Sequence, residues 1–338
     1  MIIKEPLKIK NTVFNNRIVM PPMASEKTGD GRVTPAHHRY YTKRTGSGHI
    51  GLVITEHMYI MPSGQASPGQ IYIGADDCIE GLRGLTAAIH ESGSKCFAQI
   101  NHAGYKAPAA LTGSAPLGPS AVEMHLKSGE AVLPHELRAE ELREITAAFA
   151  AAAKRAKAAG YDGVEIHAAH GYLLCQFYSP LSNKRQDEYG GSLEKRLRLH
   201  LEVISAVRAA VGEDYPVAIR MGGCDYMEGG STIEDCVEAC KLFEKAGVDI
   251  IDLSGGHCGF QPAGRGGVLF EDMARAVKAD VNVPVILTGG ILDGGTAERL
   301  LQEKACDMVG IGRALLKDAN WPETQVYLES CPCCEAGA

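Results

Sequence analysis

Short runs of β-branched and other apolar residues alternate along the chain with longer stretches in which apolar positions recur every three or four residues. The short runs predict strands at Arg17 to Met20, Gly51 to Glu56, Lys95 to Ile100, Gly163 to His167, Val217 to Met221, Ile250 to Leu253, Val285 to Thr288 and Met308 to Ile311. The intervening stretches, such as ELREITAAFAAAAKRAKAAG, EKRLRLHLEVISAVRAAVG and IEDCVEACKLFEKAGV, are amphipathic and closed by glycine, as helices are. Eight strand-then-helix units predict an α/β chain folded as a (β/α)8 TIM barrel. An open doubly wound sheet would need a glycine-rich turn after strand one, where the chain has MPPMASEKTGDG, with prolines in the place of those glycines. Ahead of strand one, PLKIKNTVFNNRI predicts a hairpin that caps the barrel floor, with Asn11 at its turn. The connection after strand three, residues 103 to 135, is long and rich in Gly, Pro and Ala, which suits a lid over the barrel mouth.

Length and composition narrow the class. At 338 residues and 45% apolar content the chain fits one barrel domain, residues 1–338, with no internal repeat or low-complexity linker. The net charge is −7 and no basic stripe occurs, which argues against nucleic acid or membrane partners and leaves a homo-oligomer open. The charged start MIIKEPLKIK is unlike a signal peptide, and the small-apolar run AAFAAAA is too short to cross a bilayer, so a soluble cytoplasmic protein is expected. Eleven cysteines, an odd number, fit reduced thiols better than a disulfide framework. Cys331, Cys333 and Cys334 lack a fourth ligand at a usual metal-site spacing, and their role is left open.

Chemistry in such barrels collects at the C-terminal ends of the strands. There the sequence places Pro22, Met23 and Ala24, then Glu56 and His57, then Gln99 with His102 beyond it, then His167, His170 and Tyr172, then Arg220. The last three strands end in Ser254-Gly255-Gly256-His257, Thr288-Gly289-Gly290 and Gly310-Ile311-Gly312-Arg313. Gly289, Gly290, Gly312 and Arg313 offer bare backbone N–H groups and a guanidinium to a phosphate, although glycine at such turns is also ordinary punctuation. Arg220 inside a barrel must meet an anion, either a ligand or a neighbouring acid. Gln99 can both donate and accept, as the imide edge of a flavin requires, or it can serve a core hydrogen bond. The spacing of His167 and His170 suits a metal and equally suits two donors on one carbonyl oxygen.

RIVMPPM, QINHAGYK, DGVEIHAAHGYLLCQFYSPLSNKRQDEYGGSLEKR and the TGG and GIGR turns together resemble the Old Yellow Enzyme family of FMN-dependent ene-reductases. The likeness runs from about Pro6 to Pro322 and is nearest to the xenobiotic-reductase branch and the flavin domain of 2,4-dienoyl-CoA and enoate reductases. It implies one FMN, with Pro22, Met23 and Ala24 along the isoalloxazine, Gln99 and Arg220 at its pyrimidine edge, and Gly289, Gly290, Gly312 and Arg313 around its phosphate. It also implies NAD(P)H as co-substrate, an α,β-unsaturated carbonyl compound as small-molecule substrate, and ping-pong kinetics. His167 and His170 would grip the substrate carbonyl and Tyr172 would protonate Cα, which makes the histidines donors and leaves no metal expected.

The chain departs from the family pattern at named positions. Ala24 stands where the family usually has Cys or Thr, so flavin tuning falls to Ser25 or is lost. His57 stands where a small residue is usual and is expected to point into the next loop rather than narrow the pocket. His257 corresponds to a substrate-facing histidine of the dienoyl-CoA reductases. The larger reductases continue into an iron–sulfur motif, which this sequence lacks, so electrons are expected directly from nicotinamide. The alternatives are a flavin dehydrogenase for a steroid-like or amine substrate, a flavin carrier without catalysis, and a zinc-dependent barrel hydrolase using histidines such as His102 and His257.

Overall fold

The computed structural model describes residues 1–126 and 128–328. Eight parallel strands close into a barrel: β1 (Ile18–Met20), β2 (Leu52–Tyr59), β3 (Lys95–Asn101), β4 (Gly163–Ala168), β5 (Val217–Cys224), β6 (Ile250–Gly255), β7 (Val285–Thr288) and β8 (Met308–Gly310). The principal helices between and after them are α1 (Pro35–Thr45), α2 (Ile79–His90), α3 (Ala139–Ala158), α4 (Arg198–Val211), α5 (Ile233–Lys245), α6 (Glu271–Asp280), α7 (Gly294–Gln302) and α8 (Arg313–Lys317). The expected TIM barrel is therefore the fold. Helix α3 shows why these segments are helical. Leu142, Ile145, Phe149, Ala152, Ala153 and Ala156 bury one face at three- and four-residue spacing, and Glu141 accepts from the Arg138 N–H at 2.8 Å to cap the start.

The floor is closed as the sequence predicts. Leu7–Ile9 pairs antiparallel with Thr12–Phe14, and the left-handed residue at the turn is Lys10 (φ 51°) rather than Asn11. Ile9 and Phe14 pack into the barrel interior with Val19, Leu52, Ile54, Phe97, Ala218, Ile250, Ile286 and Met308. Phe97 fills the centre of this layer. A Cβ on Gly163 would collide with its ring, so the glycine that opens β4 is what admits an aromatic residue there. Burying such a side chain contributes about 1.5–3 kcal/mol.

Two strands run further than their apolar runs suggest, and each carries an irregularity. In β2 the pairing with β3 passes from Thr55 with Ala98 to Met58 with Ile100, three positions against two, so a one-residue bulge contains Glu56 and His57. In β5 a register shift lies between Gly222 and Cys224. The connection after β3 contains a short helix (Ala109–Thr112), an antiparallel pair between Met124–His125 and Ala131–Val132, and a parallel pair between Leu117–Gly118 and His135–Glu136.

No helix among the described residues is long and apolar enough to cross a membrane. The eight described cysteines are free thiols, all buried except the half-buried Cys258. Cys331, Cys333 and Cys334 lie outside the described residues.

Candidate active site

A cavity of about 670 Å³ opens at the C-terminal ends of the strands. Its walls bring together Pro22, Met23 and Ala24 after β1, His57 from β2, Gln99 from β3, His167, His170 and Tyr172 from β4 and its turn, and Arg220 from β5. Gly289 and Gly290 after β7 and Gly312 and Arg313 after β8 complete them. Ser254 and Thr288, named from sequence only as strand ends, also line the cavity, as do Lys106, Leu126 and Phe260, which were not singled out for it. Lys106 lies within the quoted QINHAGYK stretch, and its Nζ donates to the carbonyl of His170 at 2.6 Å, a contact no spacing rule announces.

At one end of the cavity four rings meet. His167 lies with ring centroids 5.1 Å from His170, 5.1 Å from Tyr172 and 6.1 Å from His57. The two family-motif histidines do not share a helix. His167 belongs to β4, whereas His170 occupies a left-handed turn (φ 59°) ahead of the short helix Leu173–Tyr178. That turn is held by the His170 N–H donating to Gly255 at 3.0 Å, and the His170 Nε2 lies 2.8 Å from Ser254 Oγ. Burial, then the neighbouring His170 and His57, hold the His167 imidazole well below its ordinary pKa, so it is neutral at physiological pH. Its Nδ1 is buried and has no hydrogen-bond partner among the described residues. Burial raises the Tyr172 phenol to about 12, which keeps its proton in place.

Beneath the cavity floor the strand register sets a polar layer. Gln99 is opposite Glu165, and Arg220 lies between His167 and Asp252. Gln99 Nε2 donates to Glu165 Oε1 at 2.8 Å, and Arg220 Nε is 3.2 Å from Asp252 Oδ2 without the alignment of a hydrogen bond. Thr288 donates to the other oxygen of Asp252 at 3.2 Å. Two fully buried acids thus face one guanidinium. Burial first, then Asp252, raises the Glu165 carboxyl, while burial raises Asp252 against the opposing pull of Arg220. Of the two sequence alternatives for Arg220, the neighbouring acid is present as Asp252, and the guanidinium also lines the cavity.

The opposite end is glycine-lined. Gly289 and Gly290 have positive φ, 131° and 79°, and a Cβ at Gly290 would collide with the carbonyl of Gly267. Arg313 is exposed at the rim, where Nη1 donates to Gln261 at 3.3 Å.

Three sequence expectations change. His57 meets the next loop, where its Nδ1 lies 2.8 Å from Gln70 Nε2, and also lines the cavity that it was expected to leave open. The bulge in β2 turns it into the cavity wall. His257 is not among the cavity-lining residues, because its Nδ1 meets Tyr105 at 3.2 Å and its Nε2 meets Ser182 at 2.9 Å. Ser25 cannot stand in for a side chain at Ala24, since its hydroxyl donates to Glu56 at 2.6 Å. His102 is a structural residue, buried with Nδ1 accepting from the Gly104 N–H.

Among the described residues, the one group of three ligand-type side chains with atoms within 4.8 Å is Cys175, Asp225 and His257, behind the cavity wall. Asp225 already accepts from Ser179, Ser231 and the His257 N–H. His57, His167 and His170 are not part of that group.

A model of the NADH:flavin oxidoreductase / NADH oxidase family matches residues 3–327. The chain is 38% identical over 343 residues to an NADH oxidase of Thermoanaerobacter brockii, covering 98% of this chain and 52% of that one. It is 40% identical over 324 residues to an NADPH dehydrogenase of Bacillus subtilis (strain 168), covering 94% and 92%. Among solved structures it superposes on a 2-naphthoyl-CoA reductase in complex with 2-naphthoyl-CoA with a TM-score of 0.90 at 28% identity, covering 99% and 52%. An old yellow enzyme homologue of Zymomonas mobilis gives 0.83 at 27%, covering 95% and 91%. The chain spans about half the length of the NADH oxidase and of the naphthoyl-CoA reductase. Its sequence over 3–327, its barrel and the polar and glycine-lined ends of its cavity agree, and the chain belongs to the NADH:flavin oxidoreductase / NADH oxidase family, the Old Yellow Enzyme family of FMN-dependent NAD(P)H oxidoreductases.

Proposed function

We infer that this chain reduces activated C=C bonds of α,β-unsaturated carbonyl compounds with NAD(P)H, both using one site in turn. The observation that carries the reading is the meeting of His167, His170 and Tyr172 at one end of a cavity whose other end is lined by Gly289, Gly290, Gly312 and Arg313.

The cavity suits FMN on its own chemistry. The glycine-lined end with Arg313 accepts a phosphate, and the unaligned Arg220 Nε and the Gln99 amide offer polar atoms for an imide edge. Pro22, Met23 and Ala24 supply an apolar wall between the two. When bound, FMN supplies the hydride relay between nicotinamide and alkene. His167, held neutral by its burial, and His170 donate to the carbonyl oxygen of the substrate, which polarises the alkene conjugated with it. Tyr172, protonated up to about 12, delivers a proton to Cα. Leu126, from the connection after β3, adds an apolar side chain to the cavity lining.

The test is anaerobic. FMN-loaded protein should bleach with NADH or NADPH, and its colour should return on adding a cyclic enone, with one alkane formed per nicotinamide oxidised. Bleaching without reoxidation by any enone, enoate or nitroalkene would leave a flavin reductase of another kind.

A further inference from the structure

Gln99, Arg220 and Thr288 line the cavity, and Glu165 and Asp252 are fully buried among them. Two residues earlier on the same strands, and so on the same faces, Phe97, Ala218, Ile250 and Ile286 belong to the apolar layer of the barrel interior. The Phe97 ring also fills the space that Gly163 leaves under Glu165. The two acids therefore have hydrocarbon beneath them and the cavity above. They share one guanidinium unequally. Asp252 is the strand partner of Arg220, 3.2 Å from its Nε, whereas the donor to Glu165 is the Gln99 amide, at Oε1. Glu165 Oε2 is buried without a hydrogen-bond partner among the described residues. A bare oxygen is costly there on an ionised carboxylate and much less so on a neutral carboxyl. Burial, then the charge of Asp252, raises the Glu165 carboxyl against the lesser pull of Arg220. The strands around it add no other charge. β3 and β7 contribute the Gln99 amide and the Thr288 hydroxyl, and the imidazoles of His57 on β2 and His167 on β4 are held neutral chiefly by burial.

With one proton between the two acids, the guanidinium and the remaining carboxylate cancel. Without it, the layer carries a net negative charge directly under the cavity floor. We propose that Glu165 and Asp252 hold a single proton between them, and that this proton sets the reduction potential of the bound flavin by keeping Arg220 available to the negative charge that reduction leaves at the imide edge. The proposal rests on the reading of Arg220 and Gln99 at that edge. The proton stays in the layer throughout and forms no bond to the flavin, so Glu165 and Asp252 are positioning residues that act through Arg220.

Sulfite is the probe, because its addition to oxidised flavin leaves the same negative charge at the imide edge and needs neither nicotinamide nor alkene. FMN-loaded protein is titrated with sulfite at about pH 6 and at about pH 9, a span in which buried carboxyls titrate, and followed through the loss of flavin absorbance. Wild type and Glu165→Gln should bind sulfite equally at the lower pH. At the higher pH the wild type should bind it roughly tenfold more weakly than the variant, the weight of one charge on the order of 10 Å away at a protein-like dielectric. The wild-type flavin potential should fall below that of the variant over the same span. Asp252→Asn should move the fall to lower pH, since Glu165 then has no second negative charge beside it, and it keeps the test open if Glu165→Gln fails to fold. Difference infrared spectra of the oxidised, FMN-loaded proteins report the proton itself, as a carboxylic acid band present in the wild type at about pH 7, where an ordinary carboxyl is ionised, and missing from Glu165→Gln. Identical pH profiles in the wild type and both variants overturn the proposal, as does the lack of that band. An offset of equal size at both pH values would show a structural effect and also overturn it. Undiminished sulfite binding in Arg220→Met would sink the placing of Arg220 at the imide edge, and the proposal with it, even where the acid band is present.

Discussion

Tyr172 is the residue on which the proposed chemistry can be dissected. Its phenol keeps its proton to about pH 12 and lies within a ring's width of His167. Tyr172→Phe should retain FMN and bleach normally with NAD(P)H, because neither step uses that proton. Reoxidation by a weakly activated enone should slow by roughly 10²-fold or more, the usual weight of a general acid. A nitroalkene should be spared, since its nitronate can leave and take a proton from water. Stopped-flow reoxidation with the two substrates checks this, and equal losses on both would make the tyrosine an orienting group. Ala24, by contrast, offers the cavity only a methyl group, and the Ser25 hydroxyl is committed to Glu56.

At the scale of elements, the long SPLSNKRQDEYGG segment is the most distinctive part of the sequence, yet most of it lies outside the cavity wall. Its work is to tie loops together. Asn183 donates to the carbonyls of Phe177 and Tyr189, and Ser182 donates to that of Gln176. Arg185, nearly buried, donates to Pro119 and Leu137 at 2.9 and 2.7 Å and pairs with Asp187. Pro119 and Leu137 bracket the hairpin that carries Leu126 into the cavity. Arg185→Ala leaves those two carbonyls without their donor and should cost about 1–3 kcal/mol. The loss should fall on the connection after β3. Limited proteolysis within residues 119–137 should accelerate and the enone KM should rise, while FMN retention stays near the wild-type level. Cleavage at the wild-type rate would show that the connection is held by its own short strands.

For the whole molecule, the buried acids of the barrel bear on stability against pH. Burial and Asp252 raise Glu165 above its ordinary value of 4.5, so the native state keeps a proton that the unfolded chain has already released. This contribution is complete below the ordinary carboxylate range and is lost as pH rises above it towards the folded pKa. Glu165→Gln keeps an oxygen to accept from Gln99 but cannot titrate. Its unfolding free energy should therefore fall less steeply than that of the wild type between about pH 5 and about pH 8, read from urea transitions at each pH. Parallel slopes would mean that Glu165 is ionised in the barrel. The sequence by itself determined the barrel, its capping hairpin and most of the cavity wall. Short apolar runs, amphipathic repeats and glycine stops are local signals, and strand ends in such a fold converge wherever they lie along the chain. It could not place His57 or His257, nor find the Glu165 and Asp252 layer. A one-residue bulge in β2 decides which way His57 faces, a network of Tyr105 and Ser182 draws His257 away, and the register between strands far apart in sequence sets two acids around Arg220. Each is a relation between strands or loops, which only closing the barrel creates.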